Sequence, residues 1–398
     1  MTKTSSASPM TWRNAVFVVF FINGLGFATW LARVPAIRDG LDLSTSEVAA
    51  LLFTGALGAV TGLIFSSHII AWIGHRSTIL FFGLLGLVGL LGIGWGSGVF
   101  SSYAITLVAI VAAGAGNGIA DVAMNVEGAA VERGLMRNIM PWFHAFWSLG
   151  TVSGAVLAAG ASYLGIGLAL HASTVAGVFS LVLIAISRAL SDDRGSRGGG
   201  EPAPTTLADR LRVWKEPRTL AIGLIALGMA FSEGSANDWL ALAIVDGREV
   251  SNATGAAWFG FFAAGMLAGR IGGVWILDRF GRVPVLQGSA VLAVVGLALV
   301  ILVPTPAISA IGALLWGVGS SLGFPVGMSA AADHPHGSAA RVSAVATVAY
   351  GAFLIGPPLI GGIGAEIGLL GALWIVVVMV VVSLLASPAA RPPLAPPA

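Results

Sequence analysis

The chain has 398 residues, of which 57% are hydrophobic and 10% are charged, with a formal net charge of +2. Soluble globular proteins carry about 25% charged residues, so this chain lacks the polar atoms to cover a water-facing surface, and lipid must be its main solvent. It contains no cysteine, which excludes disulfides, thiolate nucleophiles and cysteine-based metal sites.

Twelve apolar segments separated by polar breaks follow one another along the chain. A membrane-spanning helix needs roughly 20 apolar residues, and continuous apolar length with internal Gly and Pro indicates helices, whereas a β-barrel would need alternation. The predicted spans are 12–32, 46–70, 77–97, 101–127, 141–163, 165–188, 219–245, 254–277, 284–303, 306–330, 340–364 and 367–388. The predicted fold class is an all-α integral membrane protein with twelve transmembrane helices.

The distribution of Lys and Arg predicts the orientation of the spans, because cytoplasmic loops carry the excess of positive charge. With a cytoplasmic N-terminus, only Arg33, Arg38 and Arg248 fall outside and Arg270 lies within a span, while every other Lys and Arg falls inside. We therefore expect a multi-pass protein of the inner or plasma membrane with both termini in the cytoplasm. The N-terminal segment leads into an apolar run too long for a signal peptide, so we expect it to be retained.

Two similar halves flank one long polar loop. "ATWLARVPAIRDG" (28–40) resembles "NDWLALAIVDG" (237–247), and "AWIGHRS" (71–77) aligns with "DRFGRVP" (278–284). We predict an N-terminal six-helix bundle over 1–190, a cytoplasmic linker over 191–218, and a C-terminal bundle with the tail over 219–398. Pseudo-symmetric bundles of this kind place a substrate site near the membrane midplane between them.

The linker carries one segment with the pattern of an amphipathic helix. "TLADRLRVWK" (206–215) places Leu207, Leu211 and Trp214 on one face and basic residues on the other, which suits a membrane surface. An unstructured tether explains the same composition.

The stretch "DRFGR" (278–282) resembles the G-x-x-x-D-R-x-G-R-R motif of the major facilitator superfamily. In the first half only Gly74, His75 and Arg76 keep the pattern, because Ala71 replaces the acid. The resemblance extends over the whole chain through its twelve spans and two halves. It implies a transporter that works by alternating access, with Asp278, Arg279, Gly281, Arg282 and Arg76 in a gating or structural charge network.

Further stretches resemble the fucose–proton symporter branch of that superfamily. They are "ADVAMN" (120–125), "HAFWSLG" (144–150), "GFPVG" (323–327) and "GPPLIGG" (356–362). The resemblance implies uptake of a sugar or another small polar solute together with protons. In that branch a first-helix carboxylate partners the fourth-helix acid, but this chain has no acid between Trp12 and Ala32.

Asp121 is the first candidate site residue. Ionisable groups within membrane spans cost roughly 2.5–3.5 kcal/mol on insertion scales and mark transport pathways. Asn117 and Asn125 lie four residues before and after Asp121, so the three share one helix face and can bind hydroxyl groups and exchange a proton. The alternative is an acid that pairs with a neighbouring helix. Glu127 is assigned to the cytoplasmic rim with Glu132 and Arg133.

The stretch "SEGSANDW" places a second group of candidates on the seventh span. Glu233 lies near mid-span, followed by Asn237 and Asp238, and we expect Gly234 to break the helix there. We predict that Glu233, and not an acid of the first helix, is the companion of Asp121. For Asp238 two assignments are open, the same cavity or the hydrated outer mouth of the span.

Arg270 lies within the eighth span and needs an acid or carbonyl partner. One interpretation is a structural network with the "DRFGR" motif, and the other is a counter-ion for a substrate, Asp121 or Glu233. Arg33, at the outer end of the first span, is predicted to be interfacial.

Aromatic and polar side chains supply the remaining candidates. His144 and Trp147 are three residues apart on the fifth span, so they share a face. Trp316, Ser320 and Phe324 are spaced by four on the tenth span, which suits stacking on a sugar or apolar ring, although packing explains the pattern equally well. Glycine rows at 265, 269 and 273 and at 319, 323 and 327 indicate close helix packing.

No cofactor, metal or catalytic motif is predicted. "DHPH" (333–336) offers too few ligands for a metal site, and "GAGNG" (114–118) follows no strand, so it is not a phosphate loop. We expect a monomer whose partners are the bilayer, a small-molecule substrate and the proton as coupling ion, and no nucleic acid.

The sequence therefore predicts a proton-coupled secondary transporter for a small polar solute and not an enzyme. One alternative is a proton-coupled drug or metabolite exporter, although the exporter motif G-P-x-x-G-G is missing from the fifth span. A second alternative, from another class, is a non-transporting membrane receptor or scaffold.

Overall fold

The structure is a computed structural model that describes residues 8–136, 139–191, 212–333 and 338–392. Helices connected by short turns make up these ranges. The helices are α1 (Pro9–Leu31), α2 (Val34–Leu41), α3 (Thr45–Ile73), α4 (His75–Gly98), α5 (Tyr103–Leu135), α6 (Met140–Tyr163), α7 (Leu168–Ser187), α8 (Pro217–Ser235), α9 (Ala241–Arg248), α10 (Asn252–Phe280), α11 (Arg282–Leu302), α12 (Pro306–Ser320), α13 (Gly323–Ala331), α14 (Ser338–Ile367), α15 (Leu369–Ala372) and α16 (Trp374–Ala386).

The predicted all-α membrane architecture is confirmed. Within the described residues, eleven helical stretches are long and apolar enough to cross a membrane, and they coincide with eleven of the predicted spans. The remaining predicted span, 254–277, lies within α10. A surface rich in exposed apolar side chains, such as Trp72, Leu181 and Leu385, is the surface that a bilayer requires.

Several element boundaries differ from the prediction. The fourth span was expected to end at 127, but α5 continues to Leu135, so Glu132 and Arg133 are helical. The short helix α2 was not predicted. The tenth span was expected to be one helix, but it is interrupted at Ser321 and Leu322. Pro325 has no N–H to donate to the carbonyl of Ser321, which explains why the helix stops there and restarts.

Helix starts follow local capping rules. Ser44 begins α3 with a capping box, in which its Oγ accepts from the Glu47 N–H at 3.3 Å and its own N–H donates to Glu47 Oε2 at 2.8 Å. Ser8 and Ser102 cap α1 and α5 through their hydroxyls. These caps satisfy backbone donors that would otherwise face lipid headgroups without partners.

The chain forms two compact units. One comprises Met1–Gly198 with Asn237–Ala263, and the other comprises Gly199–Ala236 with Ala264–Ala398. In the first unit α1 packs on α6, and α5 packs on α3 and α4. In the second unit α8 packs on α14 and α16, and α11 packs on α12. The predicted division at the 191–218 linker remains a prediction. Most of the amphipathic helix proposed there, residues 206–211, lies outside the described residues, and only a 3₁₀ turn over Val213–Lys215 is described.

The backbone repeats the sequence similarity between the halves. Gly74, between α3 and α4, has φ 83°, and Gly281, at the equivalent position between α10 and α11, has φ 75°. Asp42 and Glu249 likewise both end a short helix in the left-handed conformation, with φ 53° and 52°. The degraded first copy of the "DRFGR" motif therefore keeps the turn for which Gly is needed.

The glycine rows bring helices into close contact. A Cβ at Gly265 would meet the backbone of Leu314, and one at Gly269 would meet Ser321. A Cβ at Gly319 would meet the Ser289 carbonyl at 2.6 Å, and Gly323 lies against Met229. Only glycine leaves room for backbones to approach this closely, so the packing role predicted for these rows is confirmed.

Candidate functional site

Asp121 lies half-buried on α5, within a membrane-spanning stretch. The amide of Asn125 donates to the Asp121 carbonyl at 2.8 Å and approaches its Oδ1 at 3.4 Å. The structure therefore brings these two predicted residues together. Asn117 lies one turn earlier on the same helix, where its backbone N lies against Gly86 of α4. An acid held by an amide can bind hydroxyl groups and take up a proton.

The two aromatic candidates of α6 both lie against α1. Trp147 donates from Nε1 to Asn23 Oδ1 at 3.1 Å, and its ring is 5.8 Å from that of Phe27. His144 is exposed and meets Phe20 edge-on at 5.4 Å. Asn23 was not predicted. It is a polar side chain in the apolar middle of the first helix, which has no carboxylate, and its place in that apolar run was the signal that could have found it.

Glu233 on α8 is paired with Arg270 on α10. The guanidinium donates from Nη2 to Glu233 Oε1 at 3.1 Å, and the two side chains are 17% and 21% exposed. Of the two interpretations of Arg270, the structure thus provides the contact that the counter-ion hypothesis requires. Pairing offsets the cost of burying each of these two charges.

A break of the seventh span at Gly234 had been expected, but Gly234 is helical. A Cβ at this position would lie 3.0 Å from the Phe353 ring. The irregularity follows at Ala236–Leu240, where the helix widens into a π turn. This turn contains Asn237, which is 8% exposed, and the half-buried Asp238. Such π turns re-aim side chains and are frequent at functional sites.

Trp316 and Ser320 are fully packed rather than open. Trp316 Nε1 donates to Ser232 Oγ at 2.7 Å, and the hydroxyls of Ser232 and Ser320 are 2.8 Å apart. Ser232 and Trp316 are 0% exposed, and Ser320 is 2% exposed. This buried chain of hydrogen bonds joins α8 to α12, as the packing interpretation of the stripe requires.

Phe324, the third member of that stripe, belongs to a separate aromatic row. It is half-buried at the start of α13, with its ring centroid 6.2 Å from that of Tyr350 on α14. Tyr350 in turn lies 6.3 Å from Phe353. Because Gly234 contacts Phe353, the row extends to the α8 turn that carries Glu233.

Glu127 is completely buried at the end of α5 that the positive-inside rule assigns to the cytoplasm. Its Oε1 accepts from Trp12 Nε1 and from the Ser191 N–H, each at 2.6 Å. Its Oε2 accepts from Ser191 Oγ at 2.7 Å and lies 3.3 Å from His75 Nδ1. From sequence, Glu127 was assigned to the cytoplasmic rim without a partner, whereas here its carboxylate ties together α1, α4 and the segment after α7.

Asp333 occupies the corresponding place in the second unit. Arg282 donates to its Oδ1 and Arg218 to its Oδ2, each at 2.7 Å. Arg218 also donates to the carbonyls of Ala389 and Arg391. Arg282, predicted from the motif, is therefore part of a charge network. Asp278, Arg279 and Gly281 are exposed, and Arg76 is half-buried; their gating role remains a prediction.

A second charge pair joins the start of α8 to α14. Arg341 donates from Nε to Glu216 Oε2 at 2.6 Å and from Nη2 to Oε1 at 2.9 Å. The hydrogen bonds from Arg341 lower the pKa of Glu216, and a bond from Thr219 adds to the effect. Within the described residues no group of three or more His, Cys, Asp or Glu could hold a metal ion; His334 and His336 of "DHPH" lie outside them.

Residues 139–353, more than half of the chain, match the family model of the Major Facilitator Superfamily. The chain belongs to this superfamily. It is therefore a secondary transporter and not an enzyme. A curated relative, an uncharacterised MFS-type transporter of Yersinia pestis, is 29% identical over 346 residues, which is 86% of each chain.

Solved superfamily structures share its fold. A crystal structure of a mutant of the nucleoside transporter NupG superposes with TM-score 0.77 at 12% identity, covering 95% of this chain and 98% of that one. A structure of the Escherichia coli fucose–proton symporter FucP superposes with TM-score 0.64 at 14% identity, covering 97% and 100%. Identities this low establish the fold alone, so the resemblance to the fucose branch is supported only at the level of the superfamily.

Proposed function

We propose that the chain moves a small polar solute across the membrane by alternating access, coupled to proton movement. The observation that carries the proposal is the Glu233–Arg270 pair, which is 3.1 Å apart and joins α8, part of a membrane-spanning stretch, to α10, which contains the predicted eighth span. Ionisable groups at such depth are costly to keep unless transport requires them.

The pair offers a simple coupling step. Protonation of Glu233 removes the negative charge that holds Arg270, and the freed guanidinium can then donate to a solute hydroxyl, carbonyl or carboxylate. Coupling requires that solute or proton bind one transport state more tightly than the other. A carboxylate that is paired in one state and protonated in the other supplies this difference. Asp121, held by Asn125, is a second acid that can take part.

The aromatic row supports a substrate with a ring. Phe324, Tyr350 and Phe353 form a row of tilted rings close to the Glu233 turn, and aromatic rings bind the apolar faces of sugars and bases. The related transporters with similar folds are named for nucleosides and for fucose. We therefore propose a sugar-like solute or a related metabolite, with nucleosides included.

A thermal-shift screen on the purified chain tests the substrate class. Sugars, sugar acids, nucleosides and amphiphiles are added at millimolar concentration, and binders raise the unfolding temperature by mass action. A stabilising solute should then accumulate in proteoliposomes that carry an inward proton gradient. The receptor or scaffold alternative is favoured if no solute binds or accumulates and if the double variant Asp121→Ala with Glu233→Ala keeps the wild-type unfolding temperature.

A further inference from the structure

Arg33 is buried at the turn between α1 and α2, in contrast to the interfacial position predicted from sequence. The residue is only 4% exposed. Nη2 donates to the Ile166 carbonyl at 3.2 Å, whereas Nε and Nη1 have no hydrogen-bond partner among the described residues. A guanidinium has five N–H donors, so most of its donor capacity is unused.

No carboxylate of the described residues offsets this charge. Arg33 forms no ion pair there, and burial alone lowers its pKa. The neighbouring Arg38, by contrast, is paired with both Asp39 and Asp246. A buried charge without a partner is strongly destabilising, so an anionic group beside Arg33 would be favourable.

Unpartnered polar atoms also lie on the helix beside Arg33. Arg33 donates to the carbonyl of Ile166, two residues before α7 begins, so its guanidinium lies at the start of that helix. His171, one turn into α7, is 7% exposed, and neither of its ring nitrogens has a partner among the described residues. The first turn of α7 adds the positive end of a 20-residue helix, and its N-cap, Gly167, supplies no side-chain oxygen.

We propose that Arg33, His171 and the N-terminal turn of α7 form a binding site for a phosphate-type oxyanion, separate from the transport residues. The oxyanion supplies acceptors for the unused guanidinium donors and for a ring N–H of His171. It also supplies the negative charge that both the guanidinium and the helix end lack. The phosphate has two possible sources, a free anion or the headgroup of an anionic phospholipid.

The loop before α7 provides the entrance. Tyr163 and Leu164 are 84% and 71% exposed, and Ile166 covers Arg33 through its carbonyl. Gly165 has φ +70°, and both Gly165 and Gly167 are surrounded by open space. An anion that enters here reaches the unused Nε and Nη1 donors beside the Ile166 carbonyl.

Thermal unfolding of the full chain tests the free-anion source. The protein in neutral detergent is titrated with inorganic phosphate against chloride at matched ionic strength. The wild-type unfolding temperature should rise and saturate. Arg33→Met should weaken the apparent phosphate affinity roughly tenfold or more, because charged hydrogen bonds are lost. Arg188→Gln, an exposed arginine at the opposite end of α7, is the matched control and should behave as wild type.

A second arm tests the lipid source. The delipidated chain is placed in nanodiscs of phosphatidylglycerol or of a phosphate-free digalactosyl lipid. A headgroup ligand predicts that phosphatidylglycerol stabilises wild type but not Arg33→Met, with no response to inorganic phosphate. His171→Leu should weaken the same response and serves if Arg33→Met does not fold. Equal responses of wild type and either variant in both arms, or no response of wild type in either arm, would overturn the proposal.

Discussion

Glu233 and Arg270 form a hydrogen-bonded ion pair of 3.1 Å between α8, part of a membrane-spanning stretch, and α10, which contains the predicted eighth span. Each group is expensive in lipid alone, and the pairing makes both tolerable. The pair joins the two helices, and its side chains keep 17% and 21% of their surface exposed.

Removing one member of the pair should cost more than removing both charges. Arg270→Met leaves the Glu233 carboxylate unpaired and should lower the free energy of unfolding by about 1–3 kcal/mol. Combining it with Glu233→Gln should recover most of that loss, because no buried charge remains. Thermal unfolding of the two single variants and the double variant checks this. Strictly additive losses would show that the two residues do not interact.

Glu127 should be among the most stabilising acids of the chain. Glu127→Gln places an amide N–H₂ against donors from Trp12 and Ser191 or from His75, and should destabilise the protein by at least about 2 kcal/mol. Glu366, an exposed acid on α14, is the matched control, and Glu366→Gln should change the stability by less than about 0.5 kcal/mol. A similar unfolding temperature for both variants would contradict the role of Glu127.

The contact of α1 with α6 should depend on Gly24. A Cβ there would meet the backbone carbonyl of Trp147, so Gly24→Ala should force the helices apart and cost about 1–3 kcal/mol. Gly177 on α7 has open space around it, so Gly177→Ala should stabilise by up to about 1 kcal/mol through helix propensity. Opposite signs in the two unfolding temperatures are expected, and equal signs would argue against the close approach.

The ion pair of Glu216 with Arg341 should make the stability of the protein decrease at acidic pH. The bonds from Arg341 lower the folded-state pKa of Glu216, so its contribution is fully present above the unfolded pKa, about 4.3. That contribution is lost as the pH falls through the folded pKa. The pair is partly exposed, so it contributes at most about 1 kcal/mol. Glu216→Gln should therefore lower the unfolding temperature at pH 7, and the unfolding temperature of the variant should fall less steeply than that of wild type as the pH is lowered. Parallel plots of unfolding temperature against pH for the two proteins would contradict this.

The sequence predicts the architecture well because a membrane span is recognisable from the length of its apolar segment. Each of the twelve predicted spans falls on one or more helices. Gly281 marks the turn between α10 and α11, because residues other than glycine rarely adopt φ 75°. Local departures were missed. The π turn at Ala236–Leu240 and the restart after Ser321 depend on where neighbouring helices pack and on which carbonyl a proline leaves without a donor.

The sequence identified which residues are candidates for the site better than it identified their contact partners. Asp121 with Asn125 followed from helical spacing alone. The pairing of Arg270 with Glu233 joins two helices, so spacing along the chain carries no information about it, and both interpretations were open. Glu127 looked like a rim residue because its partners, Trp12 and Ser191, lie far from it in sequence. That Asp121 works together with Glu233 remains a prediction.

Separate measurement of exchange and of proton-driven accumulation tests proton coupling most directly. Once a solute is identified, Glu233→Gln and wild type are compared in proteoliposomes by counterflow at equal pH and by uptake under an inward proton gradient. We predict that the variant retains counterflow but loses accumulation driven by the gradient. Accumulation equal to wild type at unchanged counterflow would contradict a coupling role for Glu233.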